Sequence, residues 1–255
     1  MLRQTFCHIP GIGRETERSL WSQGCSDWDS LLATPDQFSL GTAGTEPTLQ
    51  ELRKSVRALE NQDANYFRKC LGQQEAWRAW PDFRDSCVYL DIETDGGRFG
   101  QSVTVVGLYD GKEFTALIKD DNLDSFLDII EQFKMIVTFF GTGFDLPMLE
   151  RRFKGYRFKQ IHLDLCYALK RIGYSGGLKK IERQLGIARG SEVDGMNGRD
   201  AIRLWSEYRR GYEESLKVLV DYNREDVVNL ERLASVAYEG LKQHALTGQA
   251  AAPRS

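Results

Sequence analysis

Two acidic residues separated by a single position are the first residues in this chain whose spacing suggests chemistry. Asp91 and Glu93 lie in the run Val88 to Glu93, which is rich in β-branched and aromatic residues and predicts a strand. Residues two apart share one face of a strand, so both carboxylates point the same way. Neighbouring carboxylates repel unless a cation lies between them, and their oxygens suit Mg²⁺ or Mn²⁺. The pattern indicates a divalent-cation site; the alternative is two solvated carboxylates at a strand end.

Another carboxylate interrupts the apolar side of a long predicted helix, residues 213–238. Tyr222 and Asp226 are four residues apart, and both lie on or beside the apolar stripe. A carboxylate on a buried helix face needs a partner or a metal. The alternatives are an Asp226 that reaches solvent at the stripe's edge and a Tyr222 that is an ordinary core residue. The stripe consists of Leu216, Leu219, Leu230, Leu233 and Ala237.

A further acidic residue follows the fourth predicted strand. Asp145 stands in the run Gly141 to Pro147, immediately before a Leu-Pro helix start. One interpretation is an N-cap, which this residue type and position favour. The other is a carboxylate presented at a strand-to-helix corner, toward the end of the sheet.

The order of these motifs resembles that of the DnaQ-like, DEDD-type 3'-5' exonucleases: a D-x-E strand, a Phe-Asp corner and a Y-x-x-x-D helix. The tyrosine four residues before the last aspartate resembles their tyrosine subclass. The sequence around these motifs, over roughly residues 84–240, is most similar to the YprB-like branch of RNase H-like exonuclease domains. That branch often carries an asparagine near the Phe-Asp corner, where Phe140 and Gly141 stand here. The matching stretches are 91–94, 141–149, 175–182 and 222–230.

The resemblance implies an RNase H-like mixed sheet flanked by helices and a two-metal hydrolysis of phosphodiester bonds from a 3' end. By analogy, Asp91, Glu93 and Asp226 bind one Mg²⁺ or Mn²⁺ ion. Asp91 also contacts a second ion, Asp145 assists that ion, and Tyr222 orients the attacking water. Two alternatives stay open: an RNase H-like nucleic-acid-binding module without turnover, and an RNase H-like endonuclease, against which the Y-x-x-x-D helix argues.

The elements that must position these residues are predicted from periodicity and turn signals. Strands followed by and interleaved with helices give an α/β domain at 84–240, after a small helical region at 1–80 and a linker around Pro81 to Asp85. Residues 241–255 read as a flexible tail. An amphipathic helix is predicted over Asn122 to Phe133. The chain after about residue 144 is predicted to be mostly helical. The predicted strands are Cys87 to Ile92, Val103 to Leu108, Glu113 to Ile118 and Met135 to Phe140.

Basic residues concentrate in one segment of a chain whose net charge is −3. Residues 151–183 hold ten Lys/Arg and two Asp/Glu, so the rest of the chain carries −11. A local surplus of this kind predicts contact with a polyanion. The resemblance implies that this partner is single-stranded DNA or RNA, or the 3' ends of duplexes. The alternative is a surface segment whose aromatic side chains pack inward. The candidate nucleic-acid-binding residues are Arg151, Arg152, Lys154, Tyr156, Lys179 and Lys180.

The remaining composition restricts the class of protein. Pro10 to Gly13 before a helix resembles one helix-hairpin-helix unit, although residues 1–80 hold nine Lys/Arg against ten Asp/Glu, and a purely structural cap fits equally well. The five cysteines are scattered without a C-x-x-C pair, which favours a reducing, cytoplasmic compartment. No apolar run is long enough for a membrane span. The oligomeric state is left open.

Overall fold

The computed structural model of the chain describes residues 1–97 and 102–248, and its centre is one mixed sheet. The strand order is β3-β2-β1-β4-β5. The central strand β1 pairs antiparallel with β2 and parallel with β4; β3 extends the antiparallel side and β5 the parallel side. The strands are β1 (Cys87–Thr94), β2 (Val103–Tyr109), β3 (Phe114–Ile118), β4 (Met135–Thr138) and β5 (Ile161–Asp164).

The prediction of an α/β fold with a mixed, helix-flanked sheet is confirmed, and the four predicted strands are present. The described chain after residue 144 is mostly helical, as expected, but the prediction did not include β5. This strand has only four residues and is bounded by Gln160 and a helix, so it offers too little alternation for a period-2 pattern. It forms because β4 supplies a parallel partner, with Met135 opposite Ile161.

Eleven α-helices surround the sheet in the described residues. The predicted helix over Asn122 to Phe133 is shorter than expected, because a 3₁₀ turn at Leu123–Ser125 replaces its first part. The helices are α1 (Arg14–Ser22), α2 (Trp28–Ala33), α3 (Thr45–Glu60), α4 (Ala64–Cys70), α5 (Trp80–Phe83), α6 (Phe126–Ile130), α7 (Asp145–Arg152), α8 (Leu165–Lys170), α9 (Leu178–Gln184), α10 (Gly198–Tyr208) and α11 (Glu213–Thr247).

The longest helix corrects the prediction of a flexible tail. Helix α11 continues through Thr247, and Leu241 is fully buried in the core. Residues 241–247 are therefore helical, because the apolar stripe continues past residue 238. The rest of the predicted tail, 249–255, lies outside the described residues.

The two faces of β1 are buried differently. Leu90 and Ile92 pack with Phe126 of α6 and Met148 of α7 in one apolar cluster. Tyr89, on the other face, accepts a hydrogen bond from Trp80 Nε1 at 3.1 Å. This alternation leaves the Asp91 and Glu93 side of the strand facing α11.

The N-terminal helical region shares a core with the sheet. Trp28 and Phe67 belong to the same apolar cluster as Met135 and Val137 of β4. The predicted linker is helical rather than extended, since α5 and a 3₁₀ turn at Arg84–Ser86 span it and Phe83 is buried. The division into domains at this point stays a prediction.

The start of the chain has the predicted turn and helix. Gly11 adopts φ +85°, in the left-handed region that favours glycine, and α1 begins at Arg14 after Gly13. Assignment of this unit to the helix-hairpin-helix class stays a prediction.

The described ranges, residues 1–97 and 102–248, include all five cysteines. All five cysteines are free. Within those ranges, no helix has both the length and the apolar character needed to cross a bilayer. The cytoplasmic location stays a prediction.

Candidate metal centre and nucleic-acid interface

Strand β1 presents Asp91 and Glu93 on one face, as the sequence predicts. Asp91 lies opposite Gly107 and Glu93 opposite Val105 of β2. Glu93 is buried and Asp91 half-buried. The register shifts between Glu93 and Thr94, an irregularity that ends the regular ladder next to the carboxylates.

Helix α11 brings Asp226 and Tyr222 over the sheet, and a glycine permits the close approach. A Cβ atom added at Gly107 would lie 2.0 Å from Asn223 Oδ1 and 2.8 Å from Val227 Cγ2. Any larger residue in β2 would push the helix away from the strand. Gly107 thus sets the distance between Asp226 and the carboxylates of β1.

Three carboxylates converge at this point. Asp91, Glu93 and Asp226 each offer one oxygen, and these oxygens all lie within 4.8 Å of one another. Grouped carboxylate oxygens are the donor set that Mg²⁺ and Mn²⁺ take in proteins. The residues present therefore fit a divalent cation by their chemistry.

Asp145 stands beside this group rather than within it. It is the first residue of α7, 3% exposed, and its Oδ1 accepts a hydrogen bond from the Ile92 N–H at 3.2 Å. The N-cap interpretation is wrong, because Phe144 occupies the cap position and no side chain caps the helix. The contact with β1 instead holds the Asp145 carboxylate next to Asp91.

Burial and mutual repulsion raise the pKa values of the acids. Desolvation, with the charge of Asp226, raises the pKa of Glu93 to about 8. Desolvation raises the pKa of Asp145 to about 7, and it also raises the pKa of Asp226. The pKa of Asp91 is raised well above its usual value by desolvation and then by the charges of Asp145 and Asp226. These carboxyl groups lack enough positive charge around them.

Two basic side chains also enter the site. Nη2 of the buried Arg189 lies 2.5 Å from Asp226 Oδ1 and 2.6 Å from Glu182 Oε2. Lys179 Nζ lies 2.5 Å from the Tyr222 hydroxyl and 4.0 Å from the centre of its ring. Burial raises the pKa of Tyr222 and lowers that of Lys179. Lys179, predicted to lie on a nucleic-acid-binding surface, is half-buried at the acidic site.

Sequence reasoning missed several residues of the site. Asn223 is fully buried, and its Nδ2 donates to Asp91 Oδ2 at 3.0 Å. Its position between Tyr222 and Asp226 on the buried side of α11 was an available signal. Arg189 lies in an irregular segment between α9 and α10, where no periodic pattern places its side chain at the acidic site.

An open cleft of about 440 Å³ leads to the carboxylates. One wall is the start of α10, which Asn197 caps through a capping box with Asp200. The exposed Arg199 and the residue Phe144 also line it. The cleft gives a negatively charged ligand access to the site beside a helix N-terminus.

The basic segment lies at the far end of the helix that Asp145 starts. Arg151 and Arg152 are exposed in the last turn of α7, about 10 Å along the axis from Asp145. Arg152 pairs with Asp124 at 2.5 Å, whereas Arg151, Lys154 and Lys180 are exposed without an ion pair among the described residues.

The aromatic residues of this segment pack partly inward. Phe153 stacks on Phe126 with ring centres 5.1 Å apart, and Tyr156 packs edge-on against Phe158 at 5.1 Å. Tyr156 is half-buried, so its predicted contact with a base competes with an internal one. The nucleic-acid-binding role of the segment stays a prediction.

Comparison with known proteins agrees with this geometry. A family model of the RNase H superfamily, RNase_H_2, matches residues 88–238, more than half of the chain. The chain therefore belongs to the RNase H superfamily, with the D-x-E strand and the Y-x-x-x-D helix inside the matched region. No curated protein sequence matches it.

Solved structures with a similar fold include a family B DNA polymerase from the archaeon Pyrobaculum calidifontis. The TM-score is 0.51 at 17% identity, over 63% of this chain and 25% of that chain. The chain thus spans a quarter of the polymerase's length, and the likeness shows the fold alone. Brucella melitensis NrnC is similar at a TM-score of 0.43 and 20% identity, over 68% of this chain and 81% of that chain.

Proposed function

We propose that this protein is a divalent-metal-dependent nuclease that removes nucleotides from the 3' end of a nucleic-acid strand. The observation that carries the proposal is the convergence of Asp91, Glu93 and Asp226 within 4.8 Å in an open cleft. Membership of the RNase H superfamily and the order of the acidic motifs support it.

The charge of the site favours bound cations. Five carboxylates, from Asp91, Glu93, Asp145, Glu182 and Asp226, meet two basic side chains, so full ionisation leaves a surplus of three negative charges. In the proposal, Asp91, Glu93 and Asp226 hold one ion, and Asp91 with Asp145 holds a second. When bound, such ions neutralise charge at the scissile phosphate and activate a water.

The remaining residues position the reacting groups. Asn223 donates to Asp91 Oδ2 and fixes that carboxylate, while Arg189 fixes Asp226 from the opposite side. Lys179 Nζ donates to the Tyr222 oxygen, so the hydroxyl keeps its own proton for donation, and Asp226 is a neighbouring acceptor. In the proposal, Tyr222 orients the attacking water beside Asp226.

A specific observation favours a second candidate, a nucleic-acid-binding module without turnover. Arg189 and Lys179 already supply two positive charges inside the acidic cluster. If they take the place of metal, the cleft would bind a strand without hydrolysing it.

A cleavage assay separates these functions. Single-stranded DNA and RNA, labelled at the 5' end, are incubated with Mg²⁺, Mn²⁺ or chelator. A 3'-5' exonuclease gives a ladder of shortening labelled products only with metal and leaves circular strands intact. An endonuclease opens the circles, and a binding module leaves every substrate whole.

Asp226→Asn tests the site within the same assay. We expect a loss of about 10³-fold in rate, because the change removes several kcal/mol of metal-dependent stabilisation. Asp221→Asn is the matched control, since Asp221 lies on the same helix but lines a different cleft. Tyr222→Phe should lower the rate less than Asp226→Asn. Equal rates in Asp226→Asn and the native protein would refute the metal assignment.

A further inference from the structure

Two aromatic side chains are exposed at the end of the sheet, near the acidic site. Phe140, just after β4, is 47% exposed, and Tyr167 of α8 is 49% exposed. Their ring centres are 6.4 Å apart, with the planes inclined by 41°. The pair leaves two ring surfaces open to solvent in a chain whose other large apolar residues are mostly buried.

The backbone at Phe140 is held in a conformation that its side chain disfavours. Phe140 has φ +65°, in the left-handed region that bulky residues rarely adopt. Asp164 holds it there, since its Oδ1 accepts the Phe140 N–H at 2.8 Å and its Oδ2 accepts the Thr142 N–H at 3.0 Å. Asparagine or glycine would fit this backbone better, so folding does not explain the exposed ring.

Beside this aromatic pair lies a second cleft, of about 710 Å³, between the N-terminal region and α8. Tyr167 lines it, with three cations, Arg14, Lys170 and Arg171, and one acid, Asp164. Its lining therefore carries a charge of +2. Arg14 and Arg171 also pair with the adjacent Glu75, whereas Lys170 is exposed without an ion pair among the described residues.

A buried donor in the same cleft lacks a partner. Trp77 is 1% exposed, and its indole N–H has no acceptor in the described part of the chain. Unsatisfied buried donors are uncommon in folded proteins.

One loop separates the second cleft from the acidic one. Thr142 lines the second cleft and Phe144 lines the acidic cleft. Two residues of chain span at most about 7 Å, so the two clefts are neighbours on opposite sides of the loop. A strand whose end enters the acidic cleft can cross the loop at Phe140 and continue into the second cleft.

We propose that Phe140 and Tyr167 form a stacking platform for the bases of a single strand, whose phosphates contact Lys170, Arg171 and Arg14 in the second cleft. The inference rests on the proposed nuclease function and assigns the N-terminal region a part in substrate binding through Arg14. Aromatic faces accept any base, and the cations match the phosphate backbone in charge.

The test measures the affinity of fluorescently labelled single-stranded DNA and RNA in chelator, so that no cleavage occurs. We expect Phe140→Asn and Tyr167→Ala each to lower affinity five- to tenfold, tenfold being about 1.4 kcal/mol. Their salt dependence should stay unchanged, whereas Lys170→Ala should lower the salt slope by about 0.7. Phe140→Asn should not lower the melting temperature, because asparagine accepts the left-handed backbone.

Two control variants keep an aromatic ring at the platform, and a third removes an exposed aromatic ring elsewhere. Phe140→Tyr and Tyr167→Phe should bind as the native protein does. Tyr212→Ala, at a 63% exposed aromatic residue outside both clefts, should bind normally as well. Native affinity in both Phe140→Asn and Tyr167→Ala would overturn the proposal.

Two other outcomes have separate meanings. A change in sedimentation with unchanged strand affinity would show that the rings form an interface between copies of this chain, and would also overturn the proposal. A native protein that binds strands through these rings but cleaves neither DNA nor RNA with metal would refute the nuclease function alone.

Discussion

The acidic site and the interior of the N-terminal region both bury carboxylates against arginine, but only one of them is balanced in charge. In the N-terminal region, Arg78 contacts Glu17 at 2.8 Å and Glu75 at 2.6 Å, and all three side chains are buried. Arg14 and Arg171 also pair with Glu75, so the two carboxylates have three positive partners. Glu17 also accepts the N–H groups of Phe6 and Cys7. The carboxylate oxygens of this cluster are occupied by donors from the chain itself.

The acidic site has the opposite balance. Asp91, Glu93, Asp145 and Asp226 share Lys179 and Arg189, Arg189 also pairs with the buried Glu182, and Asp226 Oδ1 has no aligned hydrogen-bond donor among the described residues. A balanced buried cluster joins elements of the fold, whereas an unbalanced one needs a ligand from outside. The difference explains why one group of acids is assigned to structure and the other to function.

The largest effect on stability is expected in the balanced cluster. Glu17→Gln leaves Arg78 buried with one carboxylate fewer, which should lower the free energy of unfolding by about 3–5 kcal/mol. The measurement is chemical denaturation. Arg3→Ala, which breaks the exposed pair with Asp29, is the control and should cost under about 1 kcal/mol. Similar small losses in both variants would remove the distinction.

Removal of an acid from the unbalanced cluster should raise, not lower, the free energy of unfolding. Asp91→Asn should raise the unfolding free energy of the metal-free protein by about 1–2 kcal/mol, because it relieves repulsion with Asp145 and Asp226. Mn²⁺ at a hundredfold excess over its Kd should stabilise the native protein by about 2.7 kcal/mol. The variant should lose most of that gain; an equal gain would mean that Mn²⁺ binds elsewhere.

The pH dependence of stability distinguishes the clusters further. The pKa of Glu93 rises from its usual 4.5 to about 8, so between these values the folded state binds more protons than the unfolded state. Stability in chelator should therefore fall as pH rises from about 4.5 to 8, by up to about 1.4 kcal/mol per pH unit for each such proton. Glu93→Gln should make the curve less steep, because it removes one of these protons. A native curve no steeper than that of the variant would contradict the raised pKa of Glu93.

The smallest effects belong to exposed charges, which neither cluster includes. Arg151→Ala with Arg152→Ala should leave folding stability within about 1 kcal/mol. If both side chains contact phosphates, the salt slope of single-strand binding should fall by at most about 1.4. Binding is measured against salt in a cleavage-deficient background. An unchanged slope would identify these arginines as a solvated surface.

Much of the acidic site follows from local periodicity in the sequence. The two-residue repeat of a strand places Asp91 and Glu93 on one face, and the four-residue spacing of a helix places Tyr222 and Asp226 together. Because these relations depend only on backbone geometry, they hold before any packing is known. The same argument predicted the α/β class and four of the five strands.

The tertiary structure decided the contacts between residues distant in sequence. Asn223 reaches Asp91 across 132 positions, and Arg189 reaches Asp226 from an irregular segment. Gly107 in β2 sets the approach of α11, and β5 exists because β4 pairs with it. No local pattern encodes these contacts, because each depends on two segments that only the folded chain brings together. The sequence alone therefore determined which acids share a face, whereas the fold decided which charges surround them.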